Sequence, residues 1–120
     1  MVQAPRDFDD RARKLWNGVQ RALREQGTFQ DSDAGALERY VRALDRAIVA
    51  RAELAKHGKL TATGSQGQPV PHPLLRVARE SERDAHEYAE ALLLTPRARR
   101  RAGVGETTGM DDELAGLLAE

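Results

Sequence analysis

Cysteine is absent from the 120 residues, which excludes disulfides and thiolate metal sites. Aromatic residues make up only 4% of the chain, too few for the ladder of rings on which single-stranded nucleic acid stacks. No run of 18 apolar residues occurs, so no segment is suited to span a bilayer. The opening MVQAPRDFDD lacks the apolar core of a secretory signal, and a cytosolic protein is expected. Catalytic constellations are missing as well. There is no glycine loop of the kind that cradles phosphate, no paired-histidine metal spacing and no nucleophile elbow. His57, His72 and His86 stand apart. Asp9/Asp10 and Asp111/Asp112/Glu113 fall at helix starts, where carboxylates are favourable without any catalytic role. Neither an enzyme nor a bound cofactor or metal is predicted.

What is present is a charged, alanine-rich chain: 32% charged and 40% apolar, with many of the apolar residues alanine. Such a chain builds long solvated helices over a thin core and tends to complete its burial by self-association. The net charge is zero but uneven. Residues 104–120 hold five acids and no Lys or Arg, leaving 19 basic against 14 acidic residues in 1–103. A basic body with an acidic tail suits a nucleic-acid binder with a partner-seeking end, and equally a helical body with a solvated tail. Residues 1–103 form the predicted helical domain, and 104–120 an acidic tail carrying a short amphipathic segment with Leu114, Leu117 and Leu118.

Apolar residues Phe8, Ala12, Leu15, Trp16, Val19, Ala22 and Leu23 recur at helical steps, predicting a first helix from Asp7, its cap, to Gln26, closed by Gly27. A second, of about Ala34–His57, is capped by Asp33 and stopped by Gly58, with Leu37, Tyr40, Val41, Leu44, Ile48 and Leu54/Ala55 as its stripe. Asp45 is spaced to pair within this helix, near Arg42 or Arg46. Lys59 to Pro71 is either a small β-hairpin turning at Gly64-Ser65 or a loop. Pro73 begins a third helix running to Leu92, in which small residues at 78, 85 and 89 permit close approach. The second and third helices therefore pair as an antiparallel hairpin. Thr95 and Pro96 then cap and open a short helical turn.

That turn carries Arg97, Arg99, Arg100 and Arg101, and the first helix carries Arg11, Arg13, Lys14, Arg21 and Arg24. Guanidinium and ammonium groups reach phosphates, and an oligomer multiplies weak contacts. Solvation or salt bridging between subunits is the plainer role for either set. No helix-turn-helix is evident.

The Leu37/Tyr40/Leu44 face, the Gly58 stop and Gly67 in the link lead to His72-Pro73-Leu74-Leu75 and Leu92-Leu93-Leu94-Thr95-Pro96-Arg97-Ala98-Arg99. In that order they resemble the small terminase subunits of tailed phages. That family closes its second long helix with a Leu–Thr–Pro–x–x–Arg signature, matched by Leu94, Thr95, Pro96 and Arg99. Its usual Leu-Gly-Leu is Leu92-Leu93-Leu94 in this chain. The resemblance implies an all-α fold assembled into a homo-oligomeric ring. It implies a non-catalytic partner of the large terminase ATPase–nuclease that recognises the packaging start on double-stranded viral DNA in the host cell cytoplasm. Thr95 and Pro96 are read as structural. From charge, the candidate DNA contacts are Arg97, Arg99, Arg100, Arg101, Arg11, Lys14 and Arg21. The rival functions are a structural helical oligomer, scaffold or connector-like, without nucleic-acid binding, and a dimeric transcription regulator.

Overall fold

The computed structural model describes residues 1–104; the amphipathic segment expected in the tail lies outside the described residues. Among the described residues, four α-helices, one tight helical turn (Asp31–Asp33, between α1 and α2) and one small hairpin are present: α1 (Asp10–Gln26), α2 (Ala34–His57), β1 (Thr61–Thr63), β2 (Pro69–Pro71), α3 (Pro73–Ala91) and α4 (Pro96–Ala102).

Helix α1 starts two residues later than its apolar pattern suggests. Asp9, not Asp7, is the cap, its Oδ1 accepting from the Ala12 amide at 2.8 Å. Asp7 instead receives both terminal nitrogens of Arg42 on α2, at 2.9 and 3.0 Å. The Arg42 guanidinium also lies 4.8 Å from the Phe8 ring centroid, and Phe8 meets Trp16 edge-on with centroids 5.9 Å apart. A matching clamp closes the far end of α1: Arg24 bonds Asp31 at 2.7 Å and covers Phe29 at 5.0 Å. Trp16, Val19, Ala22 and Leu23 are buried between these clamps, with Leu37 and Val41 of α2 in the same cluster.

The N-terminal residues lie along α1. Gln20, fully buried, accepts from the Val2 amide and donates to the Val2 carbonyl, both at 2.9 Å, and Trp16 Nε1 donates to that carbonyl at 3.0 Å. A buried amide without partners is costly, so the strap satisfies Gln20 and Gln20 holds the strap.

Helices α2 and α3 form the antiparallel hairpin, and its seam is built from small side chains. Ala43, Ala47, Ala50 and Leu54 are buried on α2, and Ala78, Ser81, Ala85 and Ala89 on α3. Spacings of three and four residues on both partners keep one narrow stripe facing the other, and small residues let the backbones approach. Arg51 and Glu82 bridge the helices at 2.7 and 3.1 Å. The proximal half of the hairpin rests on α1. The distal half is two helices thick, with its own small cluster of Ala50, Leu54 and Ala78. Val49, Leu60 and Val77 stay exposed. The radius of gyration, 16.5 Å, exceeds the about 13–14 Å of a compact domain this size.

The link is a hairpin pairing Thr61 with Pro71, Ala62 with Val70 and Thr63 with Pro69. Its turn spans five residues rather than the two of a Gly64-Ser65 turn: Gly64 N donates to the Gln68 carbonyl at 2.7 Å, and Gly67 takes a φ of +79° inside the loop. His72 caps α3 through Nδ1, which accepts from the Leu74 amide at 3.1 Å. Its ring lies 5.0 Å from that of His57.

Helix α3 ends at Ala91, and Leu93 turns the chain with a φ of +62°. The Leu94 amide then returns to the Ala89 carbonyl at 2.9 Å. A left-handed residue is what a helix exit of this type needs, which gives a physical reason for the glycine of the Leu-Gly-Leu pattern. Leucine there carries about 1–2 kcal/mol of strain. Leu93→Gly is therefore expected to raise stability by about 1 kcal/mol after the loss of some apolar contact, read as a higher denaturant midpoint.

Candidate nucleic-acid interface

The Leu94–Arg99 corner is self-supporting. Thr95 Oγ1 accepts from the Ala98 amide at 3.1 Å and donates to Glu90 Oε1 at 2.9 Å. Pro96 occupies the first helical position, where its missing N–H costs nothing and its φ is already set. Gly103 closes the helix in the left-handed region, and Val104 N reaches back to the Arg99 carbonyl at 2.9 Å. Thr95 and Pro96 are structural in this geometry, as expected.

The four arginines of α4 divide. Arg99 is buried at 6% exposure beside buried Ala98, so its side chain is packed against the body of the chain. Arg97, Arg100 and Arg101 are exposed. Their spacing of three and four places them within about 100° of arc, on one face of the turn. None of these three has an ion pair among the described residues. Hence Arg99 of the Leu–Thr–Pro–x–x–Arg signature is packed inside the corner, while the arginines outside the signature face solvent.

The α1 set does not come together as one patch. Arg11 lies 3.9 Å from Asp45 of α2, so Asp45 pairs across the helices rather than within its own. Arg13 donates to the Phe8 carbonyl at 3.3 Å, and Arg24 is held by Gln20 and Asp31. Lys14 and Arg21 are exposed. Ten residues separate Arg11 from Arg21, about 15 Å along the axis. Gln26 Nε2 donates to the Leu93 carbonyl at 3.2 Å, so the C-terminal end of α1 is the one near α4. Arg21 belongs to that end and Arg11 to the other. Among the described residues, Arg39 and Arg46 on α2 and Arg79 and Arg83 on α3 are also exposed without an ion pair. Their spacing, seven apart on α2 and four apart on α3 and off both apolar stripes, was a sequence signal for a charged face.

Among the described residues, Asp45 is the one carboxyl raised above its ordinary range. Burial is the main cause, the Asp9 charge adds to it, and Arg11 opposes it. Its Oδ1 has no hydrogen-bond partner. A carboxyl raised on folding binds its proton more tightly in the folded chain, so stability falls as pH rises through the carboxylate range, and the whole penalty is present at neutral pH. Asp45→Asn is expected to raise the melting temperature at pH 7, with the gain vanishing below about pH 3. Asp7, Asp31, Glu80 and Glu82 behave oppositely: hydrogen bonds from Arg42, Arg24, Arg76 and Arg51 lower them, and their contributions fade as pH falls.

Among the described residues, no three His, Asp or Glu side chains gather as a metal site, and no helix is long and apolar enough to cross a membrane. A cavity of about 160 Å³ between α1 and α2 is lined by Asp7, Asp9, Arg42, Asp45 and Arg46, and one of about 230 Å³ by Leu23, Phe29, Leu92 and Leu93.

No curated protein and no solved structure matches the chain. The family model described as phage terminase, small subunit, matches residues 12–108, which takes in α2 to α4 whole and all but the first two residues of α1. With four-fifths of its length matched, and with the Leu94–Arg99 corner built as described, this chain belongs to the phage terminase small subunits.

Proposed function

We propose that this protein acts at the start of phage DNA packaging as a non-catalytic adaptor. It binds double-stranded phage DNA near the packaging origin and recruits and regulates the large terminase subunit in the host cytoplasm. The observation that carries the DNA contact is the α4 face, with Arg97, Arg100 and Arg101 exposed together and unpaired among the described residues. Lys14 and Arg21 on α1 are the secondary contacts. These are phosphate-type contacts; they fix position on a duplex without reading base edges, so selectivity comes from DNA shape and from the register of repeated subunits.

Repetition requires assembly, and a homo-oligomeric ring is the form proposed. The support is the distal hairpin, where two helices with a core of small side chains leave Val49, Leu60 and Val77 uncovered in an elongated subunit. The structural-oligomer function shares this half of the reading and lacks the DNA half. Native mass measurement combined with duplex retention on a filter at low salt separates them. A large assembly that retains duplex is the expected result; an assembly that retains none supports the structural function, and a stable monomer removes the ring.

A further inference from the structure

The basic face of α4 has a candidate occupant within its own chain. The helix closes at Gly103, and the next 17 residues carry Glu106, Asp111, Asp112, Glu113 and Glu120 with no Lys or Arg. Residues 1–103 have an excess of five positive charges, which these five acids balance. Asp111 lies eight residues beyond Gly103, a span of at most about 29 Å, whereas α4 itself is about 10 Å long. All three exposed guanidiniums are therefore within reach of the acidic run.

We infer that the acidic segment after Gly103 competes with DNA phosphates for Arg97, Arg100 and Arg101, acting as a tethered electrostatic mimic that sets the threshold for duplex binding. The inference rests on the α4 face being the DNA contact. A single exposed ion pair contributes little. Tethering changes the balance, because it holds several carboxylates near the arginines at millimolar effective concentration. The carbonyl end of α4 repels anions, so the guanidiniums, and not the helix terminus, are what the segment engages. A face covered nine-tenths of the time weakens apparent DNA affinity about tenfold. Covering it also makes that affinity less sensitive to salt, because salt loosens the competitor as well as the duplex. A partner that sequesters the acidic segment releases the arginines by the same coupling.

The test compares the natural chain with a neutral-tail variant carrying Glu106→Gln, Asp111→Asn, Asp112→Asn, Glu113→Gln and Glu120→Gln. Arginine modification by phenylglyoxal, read by mass spectrometry without DNA, reports cover directly, with Arg39 and Arg46 as internal standards. Slower modification of Arg97, Arg100 and Arg101 in the natural chain at low salt is expected, with the difference gone at about 1 M salt, where screening acts within about 3 Å. Duplex titrations should show the neutral-tail variant binding about tenfold tighter at low salt, with a steeper salt dependence and curves that converge at high salt. Equal modification rates in the two chains overturn the inference, whatever the duplex result. Protection that appears only at concentrations where chains assemble assigns the segment to a neighbouring copy and overturns the within-chain contact. Protection without duplex binding by either chain keeps the contact and removes the DNA role of α4.

Discussion

Replacing Arg97, Arg100 and Arg101 together with alanine is expected to flatten the salt dependence of duplex binding. Each phosphate neutralised on B-DNA contributes about 0.9 to the slope of log affinity against log salt, so three lost contacts lower its magnitude by about 2.7 for every subunit engaged. Base sequence should make no difference to that loss, since phosphate contacts carry no base information. The exposed, unpaired state of the three side chains makes the test clean, because few interactions within the described chain are disturbed. Arg99→Ala provides the contrast. Arg99 is 6% exposed, so its removal should leave the slope alone and lower stability instead. An unchanged slope in the triple variant removes α4 from the DNA surface. A slope that falls with Arg99→Ala as much as with the triple variant means the corner acts by its shape and not by its exposed charge.

Trp16→Ala should produce the largest loss of stability from one substitution. Trp16 is 2% exposed, packs edge-on against Phe8, and gives its indole N–H to the carbonyl of Val2. Truncating a buried tryptophan costs about 3–5 kcal/mol, against the about 5–15 kcal/mol that holds a typical domain together. With about 4 °C lost per kcal/mol at this size, a melting point lower by roughly 12–20 °C is expected. Trp16→Phe retains most of the ring volume and loses only the hydrogen bond, so it should fall well short of that change. Melting must be compared at equal protein concentration, because assembly contributes to apparent stability. Thermal unfolding followed by circular dichroism decides it; equal losses in the two variants would mean that the hydrogen bond to the strap, not the ring, is what α1 depends on.

Much of this architecture was legible from residue order. Gly27 and Gly58 end their helices in the left-handed region, Pro73 and Pro96 open theirs, and Thr95 caps α4. These are local effects of φ preference and of side-chain oxygens meeting free amides, and they need no knowledge of the rest of the chain. Legibility failed where a residue had two local options and a distant partner chose between them. Asp7 was as good a cap as Asp9 until Arg42, 35 residues away, claimed it. Asp45 had basic neighbours in its own helix, yet Arg11 of α1 lies closest. Gln20 gave no signal in sequence, because its partners are backbone atoms of a strap 18 residues earlier.

The candidate interface shows the same division. Sequence alone determined that four arginines follow a capped helix start, that residues 1–103 are mainly helical and carry a net positive charge, and that the acids collect after Gly103. Composition and local propensity fix such features, because each depends on a residue and its near neighbours. Only the tertiary structure decided that Arg99 turns inward with Ala98 while Arg97, Arg100 and Arg101 turn outward. The reason is that α4 must lay one side on the body to bury anything at all, and which side it lays down depends on the exit angle at Leu93 and Leu94, where the Leu93 carbonyl, just past α3, accepts from Gln26 of α1, 67 residues earlier in the chain.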